Sequence, residues 1–97
     1  MNSPICTAIA ATATISFTYS GATRLAEPHC HGFTASGKEV VRAYQVEGLS
    51  LSGGTEGWRL FNVADIHDLQ LLDIPFGEPR RGFNPLDPAM VEVHCHV

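Results

Sequence analysis

Three arginines, Arg24, Arg42 and Arg59, fall in three separate stretches of alternating apolar and polar residues. A guanidinium is planar and permanently charged, and it grips phosphate or carboxylate through two parallel hydrogen bonds. If the stretches are strands and the arginines share a face, they converge into a groove for an anion. Tyr19 and Tyr44 lie close to them in sequence and add rings on which a base can stack. The competing assignment pairs the arginines with Glu27, Glu39 or Glu92 on a solvated face, where an exposed ion pair contributes about 0–1 kcal/mol.

A second pattern is His29-Cys30-His31, which recurs as His94-Cys95-His96. Imidazole and thiolate are good ligands for zinc or copper. A strand points adjacent residues to opposite faces. Cys95 therefore falls with Val91, Val93 and Val97 and packs as a small apolar group. His94 and His96 share the outer face, and His29 and His31 lie side by side. Nothing in the sequence brings the two pairs together, so no metal is assigned, and a metal-binding module built on the two runs is the alternative. His29 joins the groove candidates. The same alternation turns its neighbouring histidines away from Cys30, which leaves that thiol without a base. No Gly-x-Ser-x-Gly, phosphate-binding loop or paired-carboxylate motif occurs, and the reading is non-enzymatic, with no cofactor.

The elements that must position these residues follow from periodicity. Ser3-Pro4 opens a helix, with a hydroxyl cap and then a proline whose missing N–H is not needed there. Ile5, Ala8 and Ile9 fall on one face and predict a short helix over 4–12. From Thr14 the period is two: Ile15, Phe17 and Tyr19 point one way. Ser20-Gly21 predicts a tight turn into a strand over 22–27. Further strands are expected around Val40–Val46, at 58–63 and at 67–72, with a glycine-rich hairpin connection over 48–57 and one helical turn at 64–66. Pro75, Pro79, Pro85 and Pro88 make 75–88 a loop stiffened by proline. A closing strand is expected at 90–97. Trp58, Phe17, Phe61, Leu69, Leu71 and Val63 are the expected core. Phe76 and Phe83 flank Arg80-Arg81 in the loop, and a structural protein-interaction domain working through 75–88 is a further alternative. The expected fold class is mainly β: a small barrel or a strongly bent antiparallel sheet of five to six strands with a short N-terminal helix.

The 97 residues suffice for one domain with one core. With 44% hydrophobic and 16% charged residues the chain has the composition of an ordered globule. Ten acidic against six basic side chains give a net charge of −4, which excludes a broad nucleic-acid-binding surface but not a local cluster. No apolar run is long enough to span a bilayer, so no membrane association is expected. Met1-Asn2-Ser3-Pro4 lacks the positive start of a signal peptide, and three cysteines fit a reduced, cytoplasmic protein better than a disulfide framework.

In order and spacing these segments resemble the WYL domain, a ligand-sensing module of prokaryotic regulators. Phe17-Thr18-Tyr19, the following turn, Arg24 and Pro28 resemble the family's opening hairpin, and Arg59-Leu60-Phe61-Asn62-Val63-Ala64-Asp65-Ile66 its late segment. The resemblance covers residues 5–74 within a single domain of 1–97. The namesake Trp-Tyr-Leu falls at Glu39-Val40-Val41, and the second arginine of the late segment is Asp65. The resemblance implies an SH3/Sm-like barrel that binds an anionic ligand, a nucleotide or short single-stranded nucleic acid, in transcription regulation. Tyr19, Arg24, Arg42, Tyr44, Arg59 and His29 are the groove residues it favours. The 97 residues leave no room for the DNA-binding helix-turn-helix that most members carry, so a regulatory protein partner or a homo-oligomer is expected to relay the signal.

Overall fold

The computed structural model describes residues 3–48 and 57–97. Helix α1 spans Ser3–Ala11, and six strands follow: β1 Ala13–Tyr19, β2 Ala22–Phe33, β3 Glu39–Gly48, β4 Gly57–Asn62, β5 His67–Pro75 and β6 Glu92–His96. A 3-10 turn at Val63–Asp65 joins β4 to β5. The strands form one antiparallel sheet in the order β4-β3-β2-β1-β5, with β6 pairing to β2 off that path. Among the described residues β4 and β5 do not pair, so the sheet stays open. The bent-sheet form of the expected fold is the one observed. No helix among the described residues is long and apolar enough to cross a membrane.

Local chemistry explains most boundaries. Thr12, at φ 48°, ends α1. Ser20 and Gly21 both take positive φ, the conformation of a two-residue hairpin turn that follows the strand twist, and Tyr19 opposes Ala22 across it. Strand β2 runs to Phe33, well past the expected end at 27. Pro28 cannot donate to a ladder, yet it does not end the strand, because the register with β3 shifts between Pro28 and Cys30. The glycine-rich connection expected at 48–57 falls largely at 49–56, outside the described residues.

Each face of the sheet has its own cover. On the first face, Ile5, Ala8 and Ile9 of α1 close over Ile15, Phe17, Ala26, Val41, Ala43 and Phe61. Phe17 and Phe61 meet edge to face at 4.9 Å, a geometry that contributes about 0.5–1.5 kcal/mol beyond burial. On the second face, residues 76–91 run as an irregular strap over Cys30 and Val40, with Phe83 and Met90 packed inward. The expected core is partly corrected. Phe17 and Phe61 are buried, Val63 and Leu69 pack at its margin, Leu71 is 41% exposed, and Trp58 lies half-buried under the strap.

A disulfide joins Cys6 of α1 to Cys95 of β6, with the Cα atoms 5.9 Å apart. This corrects the expectation of three reduced thiols and of Cys95 as a plain packing group. Cys30 remains free and buried.

Candidate functional site

The pairing register decides which candidate residues can meet. Arg24 opposes Phe17, and Arg59 opposes Ala43, so both stand on the helix-covered face. Arg42 opposes Leu60 and Tyr44 opposes Trp58, which puts them on the strap-covered face. His29 sits beside the register shift and also enters the strap side, packed against Trp58, Phe76 and Phe83. The six predicted groove residues therefore split: Tyr19, Arg24 and Arg59 on one side, His29, Arg42 and Tyr44 on the other. The three arginines do not converge.

On the helix side the cations are largely occupied by the fold. The Arg24 guanidinium lies 5.5 Å from the Tyr19 ring centre and 6.0 Å from that of Phe61. It donates to Gln45 Oε1 and to the Tyr19 carbonyl, and its buried Nε–H has no hydrogen-bond partner among the described residues. The Tyr19 hydroxyl accepts the Asn62 backbone N–H. Arg59 donates to the Trp58 carbonyl.

The strap side is where side chains of different chemistry meet around a space. Residues 76–91 pass through a series of turns, with Phe83 N–H donating to the Arg80 carbonyl and Met90 N–H to the Asp87 carbonyl, and specific bonds tie them down. The Arg80 backbone N–H donates to His29 Nε2 at 3.0 Å, while its guanidinium grips Glu27 at 2.6 and 3.0 Å and lies 4.5 Å from the Tyr44 ring centre. Trp58 Nε1–H donates to the Arg81 carbonyl at 3.0 Å. Gly82 passes over the same indole at φ +94°, where a Cβ would come 3.1 Å from Nε1. Arg42 holds Asp87 through two bonds of 2.7 and 3.2 Å, and Asp87 also accepts the Ala89 N–H. Between these ties lies a cavity of about 200 Å³, lined by Arg42, Trp58, Phe83, Asn84, Asp87 and Pro88.

The titratable groups around this cavity are perturbed, as groups in binding sites often are. Burial lowers the His29 pKa against the opposing pull of the Glu27 carbonyl and carboxylate. The Arg42 hydrogen bonds hold Asp87 below the usual carboxylate range, although burial opposes them. Burial pushes the Cys30 thiol up to about 11, with the Asp87 charge adding to the shift, so this cysteine is not a nucleophile at neutral pH.

A larger cavity of about 520 Å³ opens beside Lys38, Glu39, Asn62 and Asp65. It sets one ammonium against two carboxylates and offers no aromatic ring. Neither cavity is lined by Arg24 or Arg59. Sequence reasoning placed Trp58 in the core and missed Asn84 and Asp87. The aromatic-flanked Arg80-Arg81 pair was the visible signal for the strap. No family model matches the chain, and neither the curated proteins nor the solved structures contain a match.

Proposed function

We propose that the protein is a non-enzymatic ligand-sensing module that takes a nucleobase-like heterocycle, as a nucleotide or within short single-stranded nucleic acid, into the strap cavity. The observation that carries this reading is the make-up of that cavity: aromatic rings of Trp58 and Phe83 beside the Arg42–Asp87 pair and the Asn84 amide. Rings accept a flat heterocycle by stacking, which contributes about 1–3 kcal/mol per base. Guanidinium, carboxylate and amide supply donors and acceptors for its edge. A space of about 200 Å³ suits one ring better than a folded chain. Because Asp87 compensates Arg42, the cavity is mixed in charge, and a bare phosphate gains little there. The exposed Arg81 stands on the strap next to Gly82 of the cavity wall and is the cation offered to a phosphate attached to the ring, Arg80 being committed to Glu27. The ligand class is the one implied by the resemblance to WYL sensors, with the binding place moved from Arg24 and Arg59 to the strap.

Trp58 is the only tryptophan in the chain, so its fluorescence reports on the cavity. Titration with nucleoside monophosphates and short oligonucleotides at low salt should change that fluorescence saturably. Phe83→Ala should weaken binding about tenfold, the equivalent of roughly 1.4 kcal/mol of lost stacking. Arg59→Ala, on the other face, should leave it unchanged. Loss of binding in Arg59→Ala with full binding in Phe83→Ala would overturn the assignment.

A further inference from the structure

The two His-Cys-His runs do meet. Antiparallel pairing of β2 with β6 sets His31 opposite Cys95 and Cys30 opposite His96. This places Cys95 beside the N-terminal half of α1, where Cys6 joins it. Cys6 Sγ stands 3.7 Å from Nδ1 of His31. The ligand-type atoms of Cys6, His31 and Cys95 all lie within 4.8 Å of one another. His31 is fully buried, and its other nitrogen, Nε2, is 2.6 Å from Glu39 Oε2.

The Glu39 bond fixes what His31 can do. A carboxylate only accepts, so the ring proton sits on Nε2 and the Nδ1 lone pair faces the sulfurs. A histidine held from behind by a carboxylate, with its free lone pair toward other ligands, is how proteins orient a metal-binding imidazole. The spacing agrees. Around a tetrahedral ion with metal–sulfur bonds of about 2.3 Å and metal–nitrogen bonds of about 2.1 Å, a sulfur and a nitrogen ligand stand about 3.6 Å apart. Cys6 and Cys95 are half-buried, so both an ion and a small reductant can reach the sulfurs.

We propose that Cys6, Cys95 and His31 bind a zinc-class divalent ion in the reduced protein, with Glu39 orienting His31, and that the disulfide is the oxidised, metal-free state of the same site. Two electrons and two protons from a dithiol reductant open the sulfur–sulfur bond into two thiols. Binding releases both thiol protons to solvent as two metal–sulfur bonds form, and Nδ1 donates a third lone pair, leaving the fourth position to water. A disulfide or peroxide oxidant removes two electrons from the thiolates, the sulfur–sulfur bond returns and the ion leaves. The site lies on the helix-covered face and is independent of the strap cavity.

The test uses the full chain without a histidine tag, reduced, desalted under nitrogen and titrated with cobalt(II). The expected result is an intense thiolate-to-cobalt absorption in the near ultraviolet that saturates at one equivalent and disappears when zinc is added. Oxidised wild type, an identical polypeptide, should show no such band. Cys30→Ser should retain it and Cys6→Ser should lose it, with each variant's melting curve recorded to confirm folding. Glu39→Gln should keep the spectrum but bind roughly 10–100-fold more weakly. A reduced wild type without the band, or a band that survives in Cys6→Ser, would overturn the proposal and leave a structural clasp beside a satisfied core histidine.

Discussion

Mild acid should weaken the fold through His29. This ring is fully buried and uses both nitrogens: Nδ1–H donates to the Glu27 carbonyl at 2.7 Å, and Nε2 accepts the Arg80 backbone N–H at 3.0 Å. A proton added to Nε2 would set donor against donor, inside a box of Trp58, Phe76 and Phe83 and beside the Arg80 charge. Burial is the dominant influence and lowers the folded-state pKa, with Arg80 adding to it and Glu27 opposing. With that direction, the unfolded chain binds more protons than the folded one below the unfolded value of about 6.5. The contribution of the neutral ring is complete above that pH. It falls by about 1.4 kcal/mol per pH unit as pH drops, until the folded-state pKa is reached. Between pH 6.5 and 5 the loss is therefore at most about 2 kcal/mol. Asp87, held down by Arg42, acts in a separate window, costing stability only as pH falls below the carboxylate range near about 3.9. Urea unfolding followed by Trp58 fluorescence at several pH values measures the slope. His29→Gln keeps a donor and an acceptor but does not titrate, so the difference between the two curves isolates this ring. Parallel curves for wild type and His29→Gln from pH 6.5 to 5 would refute the reasoning.

Two further perturbations probe the β2–β6 clasp. A Cβ at Gly32 would stand 2.1 Å from the Glu92 carbonyl oxygen and 2.9 Å from Met90 Sδ, so Gly32→Ala must push β6 away. Overpacking of this kind costs about 1–3 kcal/mol, and at about 4–8 °C per kcal/mol the melting temperature should fall by several degrees at least, which calorimetry would detect. Opening the Cys6–Cys95 link, which spans 89 residues of sequence, removes a restraint on the unfolded chain of about 4–5 kcal/mol in the chain-entropy model. Metal-free protein in dithiol reductant should accordingly melt well below the oxidised form, whereas Cys30→Ser should not change that difference; equal melting temperatures would show that the link restrains little.

The elements were legible because each is written in local chemistry. Ile15, Phe17 and Tyr19 alternate in β1, Ser20-Gly21 adopts the turn its residue types favour, and Pro79, Pro85 and Pro88 mark a segment free of helix and strand, while Pro75 ends β5. The site was less legible because it depends on register. His29 and His31 read as neighbours on one face under strict alternation. The shift between Pro28 and Cys30 sends His29 under the strap and leaves His31 facing Cys6. A bulge carries no residue-type signature strong enough to announce itself, and one extra residue reverses every later assignment on the strand. Cys6 was invisible as a partner of Cys95 for a related reason: two positions 89 apart meet only after β6 has found β2. Arg42 read as a free cation because Asp87 lies 45 residues away, in a loop that periodicity cannot place.

Charge pairing on this sheet bears directly on what the molecule can recognise. Arg42 with Asp87, Arg80 with Glu27 and His31 with Glu39 each set a basic side chain against a carboxylate, and one member of each pair is buried. Arg24 is held instead by two aromatic faces and two carbonyl-type oxygens. A chain of net charge −4 that also pairs Arg42 and Arg80, two of its six lysines and arginines, with carboxylates offers no broad positive field to attract phosphate from a distance. Recognition must then come from short-range terms, and those are concentrated where Trp58 and Phe83 stand beside the Arg42–Asp87 pair. Binding by stacking and edge hydrogen bonds should depend weakly on salt, whereas a cluster of free arginines would lose affinity steeply between low and physiological ionic strength. The salt slope of ligand binding thus separates the two chemistries without any mutation.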